Sequence, residues 1–292
     1  TNRMFTLNAG ATAGTIDASG TGALVLSGTG ALTYGGSGAR TLTLTGTTNA
    51  ALTNVISATI ANGSGGVTSV VKSGSNTWRL AATNSSYTGS TTITGGVLNV
   101  SVITNGGSAS SIGQSTNAAA SLVMDGGILR YVGTGNTSNR LFTIGSNGGG
   151  IESSGTGALN LNSTGSAGFV GTGARVFSLG GTNTAANILA AVIGDGTGGA
   201  TSLVKDGTGN WNLNGANTYT GTTTINGGNL MVGAATGSSR TGTGATIVNS
   251  GGILSGVGTI NGTAGTAVAL FANGTPHVVN AGGTLSPGAG FG

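Results

Sequence analysis

Cysteine is absent, proline occurs twice, histidine once, and only 5% of the 292 residues are charged. Each shortage removes a class of protein. Without cysteine there is no disulfide framework, which fits a chain that crosses an oxidising compartment and must not become cross-linked on the way. Nine Lys and Arg without a cluster leave no dense patch to neutralise phosphates, so nucleic acid is not an expected partner. The isoelectric point near 10.0 reflects few charges of either sign. No apolar run approaches the roughly 18 residues of a membrane helix, so no membrane insertion by this segment is expected. The sequence shows no N-terminal signal peptide, and any targeting or anchoring segment is expected outside it.

What is present is glycine, 62 residues, among Thr, Ser, Asn and short alternating apolar runs such as LTLTG and LNLNS. Glycine interrupts nearly every window that a helix needs, which leaves β-structure as the ordered option. Disordered chains are usually poor in apolar residues and high in net charge. This one is 37% hydrophobic with a formal charge of +4, and order is expected.

The chain also repeats itself. TNRMFTL (1–7) returns as SNRLFTI (138–144), IDASGTGALVL (16–26) as IESSGTGALNL (151–161), and VVKSGSNTWRL (70–80) as LVKDGTGNWNL (203–213). Ile16 and Ile151 are 135 apart, Trp78 and Trp211 133, Tyr87 and Tyr219 132. Such drift is what loops of a solenoid tolerate, since an insertion bulges outward without moving the stacked strands. Copies span 1–137 and 138–250, with a partial third at 251–292, where GGILSGVGTI echoes GGILRYVG (126–133). The chain is expected to be one solenoid domain and a fragment of a longer repetitive protein.

Within 211–232 three β-prone pieces, WNL, TTI and LMV, are separated by GANTYTG and NGG. Asn-Gly and Gly-Gly supply the positive φ that sharp corners need. The pattern predicts one coil of a three-sided parallel β-helix in about 20 residues, with Leu213, Ile225 and Leu230 inward from successive walls and Thr223 outward. At about 4.7–4.9 Å per coil, the chain makes roughly 13–14 coils and a rod of about 65 Å. The structural residues expected from both copies are Leu80, Ile93, Leu98, Leu213, Ile225, Leu230, Trp78 and Trp211.

GSNTWRLAATNSSYTGSTTITGGVLNV (74–100) and GTGNWNLNGANTYTGTTTINGGNLMVG (207–233) resemble the passenger-associated repeat of bacterial autotransporters, and GGILSGVGTING (251–262) and AGGTLSPG (281–288) resemble segments that follow it. The resemblance implies a right-handed parallel β-helix, exported across the outer membrane and displayed on the cell surface or released. The sequence departs from the full pattern in having no membrane barrel and no recognisable protease or lipase domain.

A search for chemistry returns little. His277, beside Pro276, stands without a partner cluster, so no metal site or Ser-His-Asp arrangement is expected. The acids are Asp17, Asp125, Glu152, Asp195 and Asp206. Asp195 and Asp206, whose first-copy counterparts are Asn62 and Ser73, read as turn caps rather than the carboxylate pair of a glycosidase. GDGTGGATS (194–202) holds one Asp and lacks the tandem repeat of a calcium β-roll. The recurring charges, Arg3 with Arg140, Arg40 with Arg175, Lys72 with Lys205 and Asp17 with Glu152, read as a solvated face. Trp78 and Trp211 read as covering the flank of a coil, with a sugar-stacking surface as the alternative.

The expected protein is therefore an all-β three-sided solenoid, non-enzymatic, without cofactor or metal, serving as an extracellular structural or adhesive scaffold. Two alternatives stay open: a filament subunit whose bare ends stack head to tail, and an ice- or carbohydrate-binding Thr face built on TLTLTGT (41–47) and TTTI (222–225). The partners considered are a second copy, end to end, and cell-surface or matrix glycans.

Overall fold

The computed structural model describes residues 1–10, 13–47, 49–233, 239–260 and 278–287. His277 lies outside the described residues.

The strands form a parallel solenoid with three walls. The first wall stacks seven strands from Gly14–Asp17 to Gly168–Phe169, and the second stacks eleven from Val25–Leu26 to Val278–Val279. The third wall stacks seven from Thr134–Ser138 to Thr284–Pro287. In the N-terminal half the third side is closed by the pair Thr6–Asn8 with Thr33–Gly35 and by loop backbone, as where the Ser86 N–H donates to Ile60 O at 2.8 Å. All pairing between strands is parallel, because each strand meets its neighbour one full coil later.

The solenoid is shorter than the 13–14 coils expected from 20 residues per coil. Leu80 pairs with Val100, 20 residues on, but Val100 pairs with Tyr131, 31 residues on. The longer coils carry excursions such as 104–118, and the eleven-stranded wall records the resulting depth. One further expectation is corrected. Trp211 pairs with Leu230 and Leu213 with Val232, so Leu213 and Leu230 share the third wall instead of lying on successive walls. Ile225 lies on the second wall, and the 216–219 backbone closes the remaining side.

The two sequence copies are not stacked in phase. Gly14–Asp17, Arg40–Thr45, Thr68–Lys72 and Thr91–Ile93 lie on the first wall, and their counterparts Gly149–Ser153, Arg175–Gly180, Thr201–Lys205 and Thr223–Ile225 lie on the second. Thr77–Leu80 and Val97–Val100 lie on the second wall, and Asn210–Leu213 and Gly228–Val232 on the third. Along the first wall, Gly14–Asp17 is followed by five strands, the last being Thr143–Ile144, before Gly149–Ser153 takes up the second wall. One copy therefore winds five coils and one wall.

The core is a column of Leu, Ile, Val and aromatic side chains inside these walls. Leu80, Ile93, Leu98, Leu213, Ile225, Leu230, Trp78 and Trp211 are all buried in it. Trp78 Nε1 donates to Thr45 O at 3.0 Å and Trp211 Nε1 to Gly180 O at 2.9 Å, so neither indole presents a sugar-stacking surface. Thr223, expected outward, is buried instead. The Tyr219 ring enters the interior and its hydroxyl meets Thr223 Oγ1 at 2.7 Å, as Tyr87 meets Thr91 in the first copy.

Candidate functional site

The recurring cations do not form a solvated face. Lys72, Lys205, Arg40, Arg140 and Arg175 are all buried, and strand parity puts them there. Thr68–Lys72 alternates buried and half-buried residues, so Lys72 is in phase with Thr68 and Val70. Arg40 is likewise in phase with Leu42 and Leu44, and Arg175 with Phe177 and Leu179. Of the paired charges, only Arg3, Asp17 and Glu152 keep a surface position.

Each buried cation is held by backbone carbonyls at a corner. Lys72 Nζ donates to Ser73 O, Gly74 O and Gly95 O at 2.6, 3.0 and 2.9 Å. Gly74 adopts φ +69°, which turns its carbonyl inward at low cost to glycine. Burial lowers the Lys72 ammonium to about 8. Arg140 spends its guanidinium on the excursion 104–118: Nε reaches Thr104 O at 3.0 Å, Nη1 reaches Ser115 Oγ at 2.8 Å, and Nη2 reaches Gly113 O at 3.0 Å. Arg175 donates to Ile144 O, Val170 O, Gly171 O and Gly173 O and lies 5.4 Å over the Phe169 ring. These groups brace corners and are turned away from solvent.

The acids act as turn caps where they recur. Asp195 Oδ1 accepts from Thr201 N at 2.7 Å and Thr220 N at 3.0 Å, and Asn62 Oδ1 accepts from Thr68 N at 2.9 Å and Thr88 N at 3.1 Å in the first copy. Burial acts to raise the Asp195 carboxyl, but the Thr201 and Thr220 bonds and the nearby Arg175 charge outweigh it and hold the carboxyl below the usual range. Asp206 bonds elsewhere, to Asn226, so the two acids form no pair. Among the described residues, no three His, Cys, Asp or Glu side chains gather to hold a metal ion.

The outer surface is more selective than its composition implies. The flat Thr array is broken, because Thr43 is in register with Val71, and Thr92 with Val123. On the second wall one outward row runs Arg79, Asn99, Arg130, Glu152, Gly180 in successive register. It continues through Asp206, Asn226, Asn249 and Asn280, whose N–H groups donate to Leu179 O, Lys205 O, Ile225 O and Val248 O. Arg130 Nε is ion-paired with Glu152 Oε2. Asn226 Nδ2 donates to Asp206 Oδ1 at 2.7 Å, Asn249 to Asn226 at 2.6 Å and Asn280 to Asn249 at 2.5 Å, giving a ladder of amides. Between Glu152 and Asp206 the wall is notched at Gly180, leaving an open pocket of about 390 Å³ bordered by Arg130, Glu152, Ser154, Thr182 and Asp206. Sequence reading missed this row, since only pairing register reveals that residues 22 to 31 apart stand side by side.

The Passenger-associated-transport-repeat family matches residues 70–100 and 203–232, the two stretches that contain the Lys corner, the buried Trp and the Tyr–Thr contact. Over 148 residues, half of its length, the chain is 47% identical to the "Adhesin BmaC autotransporter" of Brucella suis biovar 1 (strain 1330). It spans 4% of the length of that relative. No solved structure matches the chain significantly. Two passenger-associated-transport repeats wound into one parallel β-solenoid, together with the similarity to an autotransporter adhesin, identify the chain as a segment of the exported, cell-surface passenger of an autotransporter.

Proposed function

We propose that the chain is a non-enzymatic, adhesive and load-bearing stretch of a surface-displayed passenger. The observation that carries this reading is the unbroken parallel ladder of the second wall, eleven strands deep, with its corners locked from inside by cations. A parallel ladder shares tension along its axis among many backbone hydrogen bonds, which suits a rod that holds a contact surface away from the cell. The recurrent polar groups are committed to carbonyls and turns, which leaves them poor candidates for acid–base or nucleophilic work. Residues 1–292 act as one solenoid domain, with copies at 1–137 and 138–250 and a partial third at 251–292. Leu80, Ile93, Leu98, Leu213, Ile225, Leu230, Trp78 and Trp211 serve as its structural spine.

The test is display of the 292-residue chain on a non-adherent bacterium carrying a heterologous barrel. Adherence to host cells or extracellular matrix above the barrel-only control supports the reading. Adherence no greater than the control, or turnover of glycan, peptide or ester substrates by the purified chain, overturns it.

A further inference from the structure

The outward row of the second wall is the place where this chain gathers surface charge and side-chain amides. Its first-copy counterpart is built differently. On the first wall Asp17 is in register with Thr45, followed by Ser73 and Thr94, whose N–H groups donate to Leu44 O and Lys72 O. Thr45 stands where the second copy has Gly180, and Ser73 stands where it has Asp206. The second copy has lost a side chain between two carboxylates and gained a notch.

We propose that this notch and the asparagine ladder beside it bind a neutral hexopyranose polysaccharide. The assignment rests on the adhesive reading above and names its partner. At about 390 Å³ the notch is at the small end of ligand pockets, which run about 300–1,000 Å³, and takes one or two sugar rings. Its rim offers acceptors on Glu152 and Asp206, donors on Arg130, and hydroxyls on Ser154 and Thr182. Carboxylates and guanidinium groups make the stronger, charge-assisted hydrogen bonds to sugar hydroxyls. The amides of Asn226, Asn249 and Asn280 are already oriented by one another, so little side-chain freedom is lost when a glycan chain lies along the row. Two carboxylates against one guanidinium disfavour sulfated or phosphorylated polymers.

Gly180 gives a clean test. A Cβ there lies 3.2 Å from Glu152 Cγ and 3.6 Å from Asp206 O, and its φ is outside the positive range, so Gly180→Thr fills the notch with the residue of the first copy and keeps the backbone. The purified 292-residue chain is titrated calorimetrically with malto-, cello- and manno-oligosaccharides and with heparin, alongside Gly180→Thr and Asp206→Ala, with melting curves confirming the fold of each. Binding to at least one neutral series, weakened tenfold or more by Gly180→Thr and by Asp206→Ala, supports the proposal. It is overturned if no neutral series binds, if heparin alone binds, or if Gly180→Thr binds as well as the parent. Adherence of the displayed chain that neutral oligosaccharides do not compete away also overturns it, while leaving the adhesive reading in place. Gly180-sensitive binding by a chain that does not adhere overturns the adhesive reading and keeps the notch.

Discussion

Lys72 and Lys205 place their ammonium groups in the same cage of three carbonyls, on different walls of the solenoid. Lys205 Nζ donates to Asp206 O, Gly207 O and Gly227 O at 2.8, 3.0 and 2.9 Å, matching Lys72 contact for contact. Two of the carbonyls belong to the lysine's own corner and the third to the next coil, so each lysine ties successive coils together. The local sequence builds the same corner wherever it falls, and the winding of five coils and one wall decides where that is.

Those cages give the stability an unusual pH profile. Burial lowers both lysines to about 8, with Asp206 partly opposing the shift at Lys205. Between about 8 and the unfolded value near 10.4 the unfolded chain binds more protons, so stability rises with pH across that window. Burial raises Tyr219 to about 12 and Tyr87 also upward, each against its bond to a threonine. Above about pH 10 the unfolded phenols ionise first and stability falls. Melting temperature at fixed ionic strength should climb from pH 8 to a maximum near pH 10, and Lys72→Met with Lys205→Met should flatten the climb. A steady decline from pH 7 would refute the buried ammonium assignment.

Interior and exterior differ sharply within one short strand. Leu213→Asp buries an unpaired carboxylate and should cost several kcal/mol. Thr223→Val removes the partner of a buried phenol and should cost about 1–3 kcal/mol. Thr224, half-buried and outward, should accept Asp with a change within about 0.5 kcal/mol. Equal melting shifts at Thr223 and Thr224 would contradict the parity.

Arg140 anchors a loop of the preceding coil from the first strand region of the second copy. Arg140→Ala abandons five carbonyl and hydroxyl acceptors and should cost on the order of 3 kcal/mol. Arg140→Lys should rescue little, because an ammonium has three donors and no planar fork. Hydrogen exchange should quicken at 104–118 in both variants while the ladder around Val204 stays protected. Unchanged exchange in the loop would show that the guanidinium does not hold it.

Much of this was legible in the sequence. The parallel solenoid, the repeats and the burial of Trp78 and Trp211 follow from glycine corners and two-residue alternation. The same alternation placed Lys72 in phase with Val70, and Arg40 with Leu42, but charge was read as exposure and the corner cages were missed. Their acceptors come from the backbone of Gly74, Gly95, Gly207 and Gly227, which side-chain identity does not reveal. Coil number was overestimated because the compact 20-residue step from Leu80 to Val100 is the short extreme. The notch was illegible, since Glu152, Gly180 and Asp206 become neighbours only through register.

The rotation between copies yields a last prediction. If each coil is stabilised by its immediate neighbours alone, the sequence copies are interchangeable even though they occupy different walls. Joining Lys72 directly to Asp206 deletes 133 residues, about one copy, and brings Asn210–Leu213 from the third wall onto the second, above Thr53–Ile56. Asn54 and Asn187 make this exchange possible. Asn54 Oδ1 accepts from Leu24 N and its Nδ2 reaches Thr77 O, while Asn187 Oδ1 accepts from Leu159 N and its Nδ2 reaches Asn210 O, so each presents the same seat to the strand above. In the shortened chain Trp211 Nε1 would donate to Thr45 O, the acceptor that Trp78 uses in the parent. The deletion protein should fold, melt cooperatively and keep its Trp211 emission buried, with Lys72 caged by Asp206 O, Gly207 O and Gly227 O. An unfolded product would show that contacts reaching beyond adjacent coils fix each copy to its own wall.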